Sequence, residues 1–145
     1  MPSVREIAEG DTEVAARALL ELRPHAAPAS SLVEVIDRTL RPGGYRLAGS
    51  FDDGERDAAA VAGFRIGHML AWGRYLYVDD LVTAADRRGR GHADRVFEWL
   101  YAEAARQDCE QFHLDSGVGP ERADAHRFYF RHGLRITSYH FARGL

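Results

Sequence analysis

Residues 75–93 read YLYVDDLVTAADRRGRGHA, and the fold turns on how this stretch is parsed. Tyr75, Tyr77, Asp79, Leu81 and Thr83 alternate with Leu76, Val78, Asp80 and Val82, the period of two that marks a strand with two different faces. Strict alternation places Asp79 and Asp80 on opposite faces. Beyond Thr83 the period changes, because Ala93, Val96, Phe97, Leu100 and Ala104 fall on one stripe of a helix. Between the two patterns lie Arg87, Arg88, Gly89, Arg90, Gly91 and His92. A strand, a glycine-rich turn and a helix N-terminus together form an anion cradle. The glycines admit close backbone approach, and the unpaired N–H groups and helix dipole offer positive charge to a phosphate. Arg88 and Arg90 add fork-shaped donors. The spacing is not that of a Walker loop, which needs Gly-Lys-Ser/Thr, nor that of the dinucleotide fingerprint.

Upstream, Val4 to Ala8 reads as a short edge strand. Ala15, Ala18, Leu19 and Leu22 recur at helical spacing until Pro24. Ser31 with Glu34 forms a capping-box pattern for a second helix, with Leu32, Ile36, Thr39 and Leu40 on one face and Pro42, Gly43 and Gly44 at its end. Tyr45, Leu47, Gly49 and Phe51 alternate as a strand before the Asp52, Asp53, Gly54 turn. Ala62, Phe64, Ile66, His68 and Leu70 alternate as its partner. Downstream, Phe112 and Leu114 mark a strand, Ala125, Phe128, Tyr129 and His132 a helix closed by Gly133, and Ile136 to Phe141 a last strand. The expected order is β, α, α, β, β, β, α, β, α, β.

The composition supports one globular domain spanning residues 1–145, with 46% hydrophobic and 28% charged residues. A net charge of -3 exerts no general pull on nucleic acid or an anionic membrane, so an anion site must be local. The single cysteine, Cys109, reads as a reduced, buried thiol, and the seven histidines show no metal-ligand spacing, so no metal is expected. No run approaches the ~20 apolar residues of a membrane span, which makes a cytoplasmic protein the expectation. Trp99 lies off the apolar stripe of its helix and is a candidate for a homodimer contact.

Arg88 to Ala93 fits the R/Q-x-x-G-x-G/A signature, and Ala125 to Leu134 resembles an A-x-x-x-Y-x-x-x-G-F/L segment. With the order of elements, these two motifs make the chain similar to the GNAT N-acetyltransferase superfamily. The resemblance implies a mixed α/β fold, a twisted and largely antiparallel sheet flanked by helices. It implies acetyl-CoA as cosubstrate, with pantetheine along the backbone of Leu81, Val82 and Thr83. Pyrophosphate would lie in the cradle of Arg88, Gly89, Arg90, Gly91, His92 and Ala93.

The resemblance further implies Tyr129 as the acid that protonates the departing thiolate. A carboxylate on the strand, Asp79 or Asp80, would hold the ammonium and relay its proton through water. Arg122 stands where many members carry asparagine seven residues before the tyrosine, and is a candidate substrate contact. The implied reaction is direct transfer to a primary amine of a small molecule. The alternatives are a protein or peptide amine, or a silent acyl-CoA-binding regulatory module. Core packing explains Tyr129 and a loop-bonded strand end explains the two aspartates without any chemistry.

Overall fold

The computed structural model describes residues 1–145. Residues Met1–His113 form one compact unit and Leu114–Leu145 a second. Five strands, β1 (Ser3–Ile7), β2 (Arg46–Phe51), β3 (Ala60–Met69), β4 (Gly73–Thr83) and β5 (Gln111–Leu114), make one sheet in the order β1-β2-β3-β4-β5. The first three pairings are antiparallel. The helices are α1 (Ala16–Leu22), α2 (Ala29–Val35), α3 (His92–Arg106) and α4 (Ala123–Arg131). This is the expected mixed α/β architecture.

Strand alternation sends two different cores to the two faces of the sheet. Ile7, Leu47, Val61 and Val82 point toward α1 and α2, where they join Leu19, Leu32 and Ile36 in one buried cluster. On the opposite face α3 buries Val96, Phe97 and Leu100. Phe64 meets Trp99 edge-on there with ring centroids 5.9 Å apart. Each fully buried side chain of this kind contributes about 1.5–3 kcal/mol. Glu103, on the buried side of α3, accepts hydrogen bonds from Arg46 at 2.7 Å and Arg106 at 2.8 Å. Burial raises its pKa, but those two guanidiniums outweigh burial and hold it below the ordinary value.

The alternation breaks once. Phe64 pairs with Val78 and Gly63 with Asp80, so Asp79 has no partner and forms a β-bulge. One extra residue reverses the facing of everything beyond it. Val78 lies on the α3 face and Asp80 on the α1 face, whereas strict alternation puts them together. Asp79 and Asp80 are both bonded to residues of the α1 face, Arg65 and Tyr45 respectively. The expectation that they point to opposite faces is therefore corrected.

Three other readings change. Helix α2 begins at Ala29 behind Pro28 with no side-chain cap, so Ser31 lies inside the helix and no capping box forms. Glu34 instead pairs with Arg38 one turn on, at 3.2 Å. The helix then widens into a π turn over Ile36–Leu40. Cys109 is half-buried. No strand forms at Ile136 to Phe141, where Ile136, Tyr139 and Phe141 are exposed. A weak alternation makes a strand only where a neighbour supplies a hydrogen-bonding ladder. The preceding helix α4 does end as expected, in a Schellman arrangement: Leu134 N donates to Tyr129 O and Gly133 N to Phe130 O, both at 3.0 Å. No helix is long and apolar enough to cross a membrane.

Gly63 carries a packing requirement inside a strand. A Cβ there would lie 1.8 Å from the Tyr45 hydroxyl oxygen, so only glycine lets that phenol cross the strand to reach Asp80. Gly63→Ala is expected to displace Tyr45 and to cost about 1–3 kcal/mol, the usual penalty of overpacking. Urea unfolding measures it, and a midpoint equal to wild type would show that the phenol is not confined.

Candidate functional site

The cradle sits where β4 ends. Ala85–Arg87 form a short 3-10 turn, Gly89 and Gly91 adopt φ of 78° and 79°, and α3 starts at His92. Both glycines are in the left-handed region that L side chains rarely enter. A Cβ on Gly89 would meet nothing within 4 Å, and one on Gly91 only the tip of Arg95 at 3.7 Å, so open space lies above the turn. No side chain caps the fifteen-residue helix α3, which leaves the N–H groups of its first turn directed out of its N-terminus. Arg88 and Arg90 are exposed. These residues fit a pyrophosphate: backbone donors, two cations and no bulk.

Of the neighbouring arginines, Arg87 is spoken for. It donates to Asp52 and lies 3.7 Å from Glu55. Burial alone would raise the Asp52 carboxyl, but the Arg87 hydrogen bond and the charges of His92, Arg87 and Arg90 hold it below its usual range. Arg95, one turn into α3, donates to Arg90 O at 3.0 Å and brings a further guanidinium beside Gly91.

His92 opens α3 but its ring points inward. It is 1% exposed, its Nδ1 is 2.7 Å from Ser50 Oγ, and its Nε2 lies 3.2 Å from Asp52 Oδ1 without hydrogen-bond geometry. Burial pushes the imidazole below its ordinary pKa, against the upward pull of Asp52. The ring thus ties the cradle to β2, and only the backbone of His92 and Ala93 is placed to meet a phosphate.

Next to the cradle, the bulged end of β4 carries the carboxylates. Asp79 takes a two-point bond from Arg65, 2.8 Å at each oxygen. Asp80 accepts from Arg23 Nε at 2.9 Å and from the Tyr45 hydroxyl at 2.8 Å. Burial, and then Asp80 itself, push the Tyr45 phenol far above its ordinary value, so it stays a donor to Asp80. Asp80 and Tyr45 line a cavity of about 510 Å³ between α1 and α2. Leu81, Val82 and Thr83 complete the strand. β5 has four residues and is reached where Glu110 N donates to Arg74 O, so it extends no farther than about Val78. The backbone of Leu81 to Thr83 therefore lies beyond the β4–β5 ladder.

Helix α1 touches both places. Glu21 Oε1 accepts from Ala85 N at 2.8 Å and Arg17 pairs with Asp86 at 2.6 Å on the cradle side, while Leu19 and Arg23 line the cavity. Arg23, Tyr45, Gly63, Glu21 and Arg95 were not singled out by sequence. Only Gly63 left a trace there, as a glycine inside a strand.

The second unit holds the other two candidates. Tyr129 on α4 is half-buried, and the Arg122 guanidinium acts on its phenol. Burial raises the phenol pKa and the Arg122 guanidinium opposes that rise. His126 bonds Gly117 O at 2.8 Å and Ser116 Oγ at 3.1 Å, fastening the loop before α4.

Residues 5–134 match the acetyltransferase (GNAT) family. Over 68 residues the chain is 29% identical to aminoalkylphosphonate N-acetyltransferase of Salmonella typhimurium, a stretch covering 47% of this chain and 43% of that protein. The chain spans less than half the length of the curated relatives it matches, 43% and 49%. Among solved structures, a Trypanosoma brucei acetyltransferase superposes with a TM-score of 0.81 at 20% identity over 100% of both chains. An aminoglycoside N-acetyltransferase in complex with CoA gives 0.80 at 15% identity, over 99% of this chain and 95% of that one. Those two likenesses concern the fold.

The buried ring of His92 sets a pH dependence. Its folded pKa lies below the ordinary value of 6.5, so the unfolded chain binds the proton first. The stability it contributes is complete above pH ~6.5 and is lost as pH falls toward the folded pKa. Carboxylates held low, such as Asp52 and Glu103, lose theirs only further down, below pH ~4. Urea midpoints taken from pH 7.5 to 5 are expected to fall in wild type and to fall less steeply in His92→Asn. Equal slopes would mean that His92 is not the group being titrated.

Proposed function

The chain belongs to the acetyltransferase (GNAT) family, and on that premise we propose that it transfers the acetyl group of acetyl-CoA to a primary amine of a small molecule. Residues 1–145 act in this reading as one N-acetyltransferase domain. The observation that carries it is the pair of left-handed glycines, Gly89 and Gly91, opening onto the uncapped N-terminus of α3. Backbone N–H groups there, with Arg88, Arg90 and Arg95, hold the pyrophosphate. The backbone of Leu81, Val82 and Thr83, left outside the β4–β5 ladder, is available to pantetheine amides.

Bound acetyl-CoA supplies the acetyl group as a thioester, so a C–N bond forms as the C–S bond breaks. The amine must arrive without its proton, although an alkylammonium has a pKa of ~10.4. Asp80 holds it: each carboxylate oxygen has one bond already, to Arg23 or Tyr45, and a lone pair left for an ammonium or a relaying water. Asp79 is the lesser candidate, because Arg65 takes both of its oxygens. Tyr129 gives the thiolate its proton, a role that rests on the likeness of Ala125 to Leu134 to the family segment. Its raised pKa keeps it protonated at neutral pH, and the Arg122 guanidinium stabilises the phenolate left behind. Arg122 is thus a partner of Tyr129 as well as a candidate substrate contact.

Acetyl-CoA at 100 times its Kd is expected to stabilise the protein by about 2.7 kcal/mol. Gly91→Glu should abolish that shift, because it puts a carboxylate and a strained backbone where phosphate sits. A wild-type melting curve indifferent to saturating acetyl-CoA would sink the reading.

Asp80→Asn is expected to lower turnover at neutral pH while the acetyl-CoA shift persists, and Asp79→Asn to lower it less. Tyr129→Phe should slow transfer by roughly 10²- to 10⁴-fold, the range for a positioned acid. Thiol release under saturating amine measures all three. Unchanged rates in Asp80→Asn and Tyr129→Phe would remove both residues from the chemistry, whereas an acetyl-CoA shift without thiol release from any amine in wild type would favour a silent acyl-CoA-binding module.

A further inference from the structure

The cavity beside Asp80 has walls whose chemistry selects among amines. Leu32, Val35, Ile36 and Leu40, from α2 and its π turn, make an apolar side, and Asp80 with Arg23 makes the polar end. These are the only acidic and guanidinium side chains in the lining, and they are bonded to each other at 2.9 Å, so their charges offset each other; His25 is the one other basic side chain in the wall. Val35 and Leu40 are 52% and 37% exposed, two large hydrophobic side chains left open to a ligand. Resting on the acetyltransferase reading above, we propose that the acceptor is a primary monoamine on an uncharged hydrocarbon body, an arylalkyl or medium-chain alkyl amine. Its nitrogen lies at Asp80 and its carbon skeleton lies along Leu32, Val35 and Leu40.

The lining excludes other amines as well as fitting this one. A polyamine or aminoglycoside brings several ammonium groups, and each one removed from water needs its own carboxylate. The cavity has a single carboxylate, already shared with Arg23. An aminoalkylphosphonate needs a cation with donors to spare. Arg23 directs Nε to Asp80 and Nη2 to Asp79 O at 3.3 Å, so its two-point fork is not turned to a second anion. A hydrocarbon body, by contrast, covers Val35 and Leu40 and leaves the Arg23–Asp80–Tyr45 set undisturbed. The cavity, about 510 Å³, has room for a phenyl ring or a six- to eight-carbon chain.

The test uses the full chain, acetyl-CoA and a panel of propylamine, hexylamine, octylamine, 2-phenylethylamine, spermidine, kanamycin and 2-aminoethylphosphonate, with thiol release as readout. kcat/KM is expected to rise roughly fourfold for each methylene added between propylamine and hexylamine, the value of one buried CH₂. The two polycations and the phosphonate should fall below hexylamine by at least about tenfold. Val35→Glu and Leu40→Glu change exposed positions and should fold. They should lower kcat/KM for hexylamine and raise it for spermidine, with the acetyl-CoA thermal shift unchanged. A flat dependence on chain length, a polycation or phosphonate as the best acceptor, or an acetyl-CoA shift with no turnover of any apolar amine overturns this proposal and leaves cofactor binding standing. Absence of the acetyl-CoA shift itself rejects the acetyltransferase reading, and this proposal with it.

Discussion

The geometry around β4 depends on one unpaired residue. A strand faces its side chains alternately to either side, so the extra residue at Asp79 exchanges the faces of everything from Asp80 to Thr83. Without it, Asp80 would lie with Val78 among the side chains that α3 buries, where a carboxylate without a cation is costly. With it, Asp80 lies under α1, against Arg23 and the Tyr45 phenol. Gly63 belongs to the same device, because its missing Cβ is the space through which that phenol passes. The bulge, a glycine, a tyrosine and an arginine thus fix the direction of one acid.

Helix α1 is short, seven residues, yet it touches both the cradle side and the cavity. Glu21 satisfies the N–H of Ala85, Arg17 reaches Asp86, and the arginine at its C-cap reaches Asp80. The cradle is braced separately from beneath, where His92 reaches Ser50 on β2 and Arg87 reaches Asp52. What projects toward solvent is the tip of the turn: Gly89 with the exposed Arg88 and Arg90.

Much of this was legible from the amino acids alone. The first four strands, both flanking helices and α3 declared themselves by period. The cradle declared itself by two glycines among arginines between a strand and a helix. The bulge did not, since Asp79 and Asp80 are both polar and an alternation pattern cannot tell which of two adjacent aspartates is the extra residue. Arg23 and Tyr45 were silent for a different reason: their partner is more than thirty positions away, and nothing local marks the meeting. Two readings failed by treating local pattern as sufficient. The Ser31 and Glu34 spacing matches a cap, but Pro28 starts the helix earlier. Ile136 to Phe141 alternates, but alternation describes a face and makes no ladder. The role of Tyr129 came from likeness to the family and not from its spacing, which packing explains equally well.

The placement of α1 has a thermodynamic corollary. One short segment contacts the turn that is proposed to hold the cofactor and the wall that is proposed to hold the acceptor, so the two ligands share an element besides their own point of reaction. If binding one ligand moves α1 and so changes the affinity for the other, the second ligand must change the affinity for the first by the same factor, because coupling free energy is reciprocal. Coupling of that kind would run through seven residues on the far side of the sheet from α3.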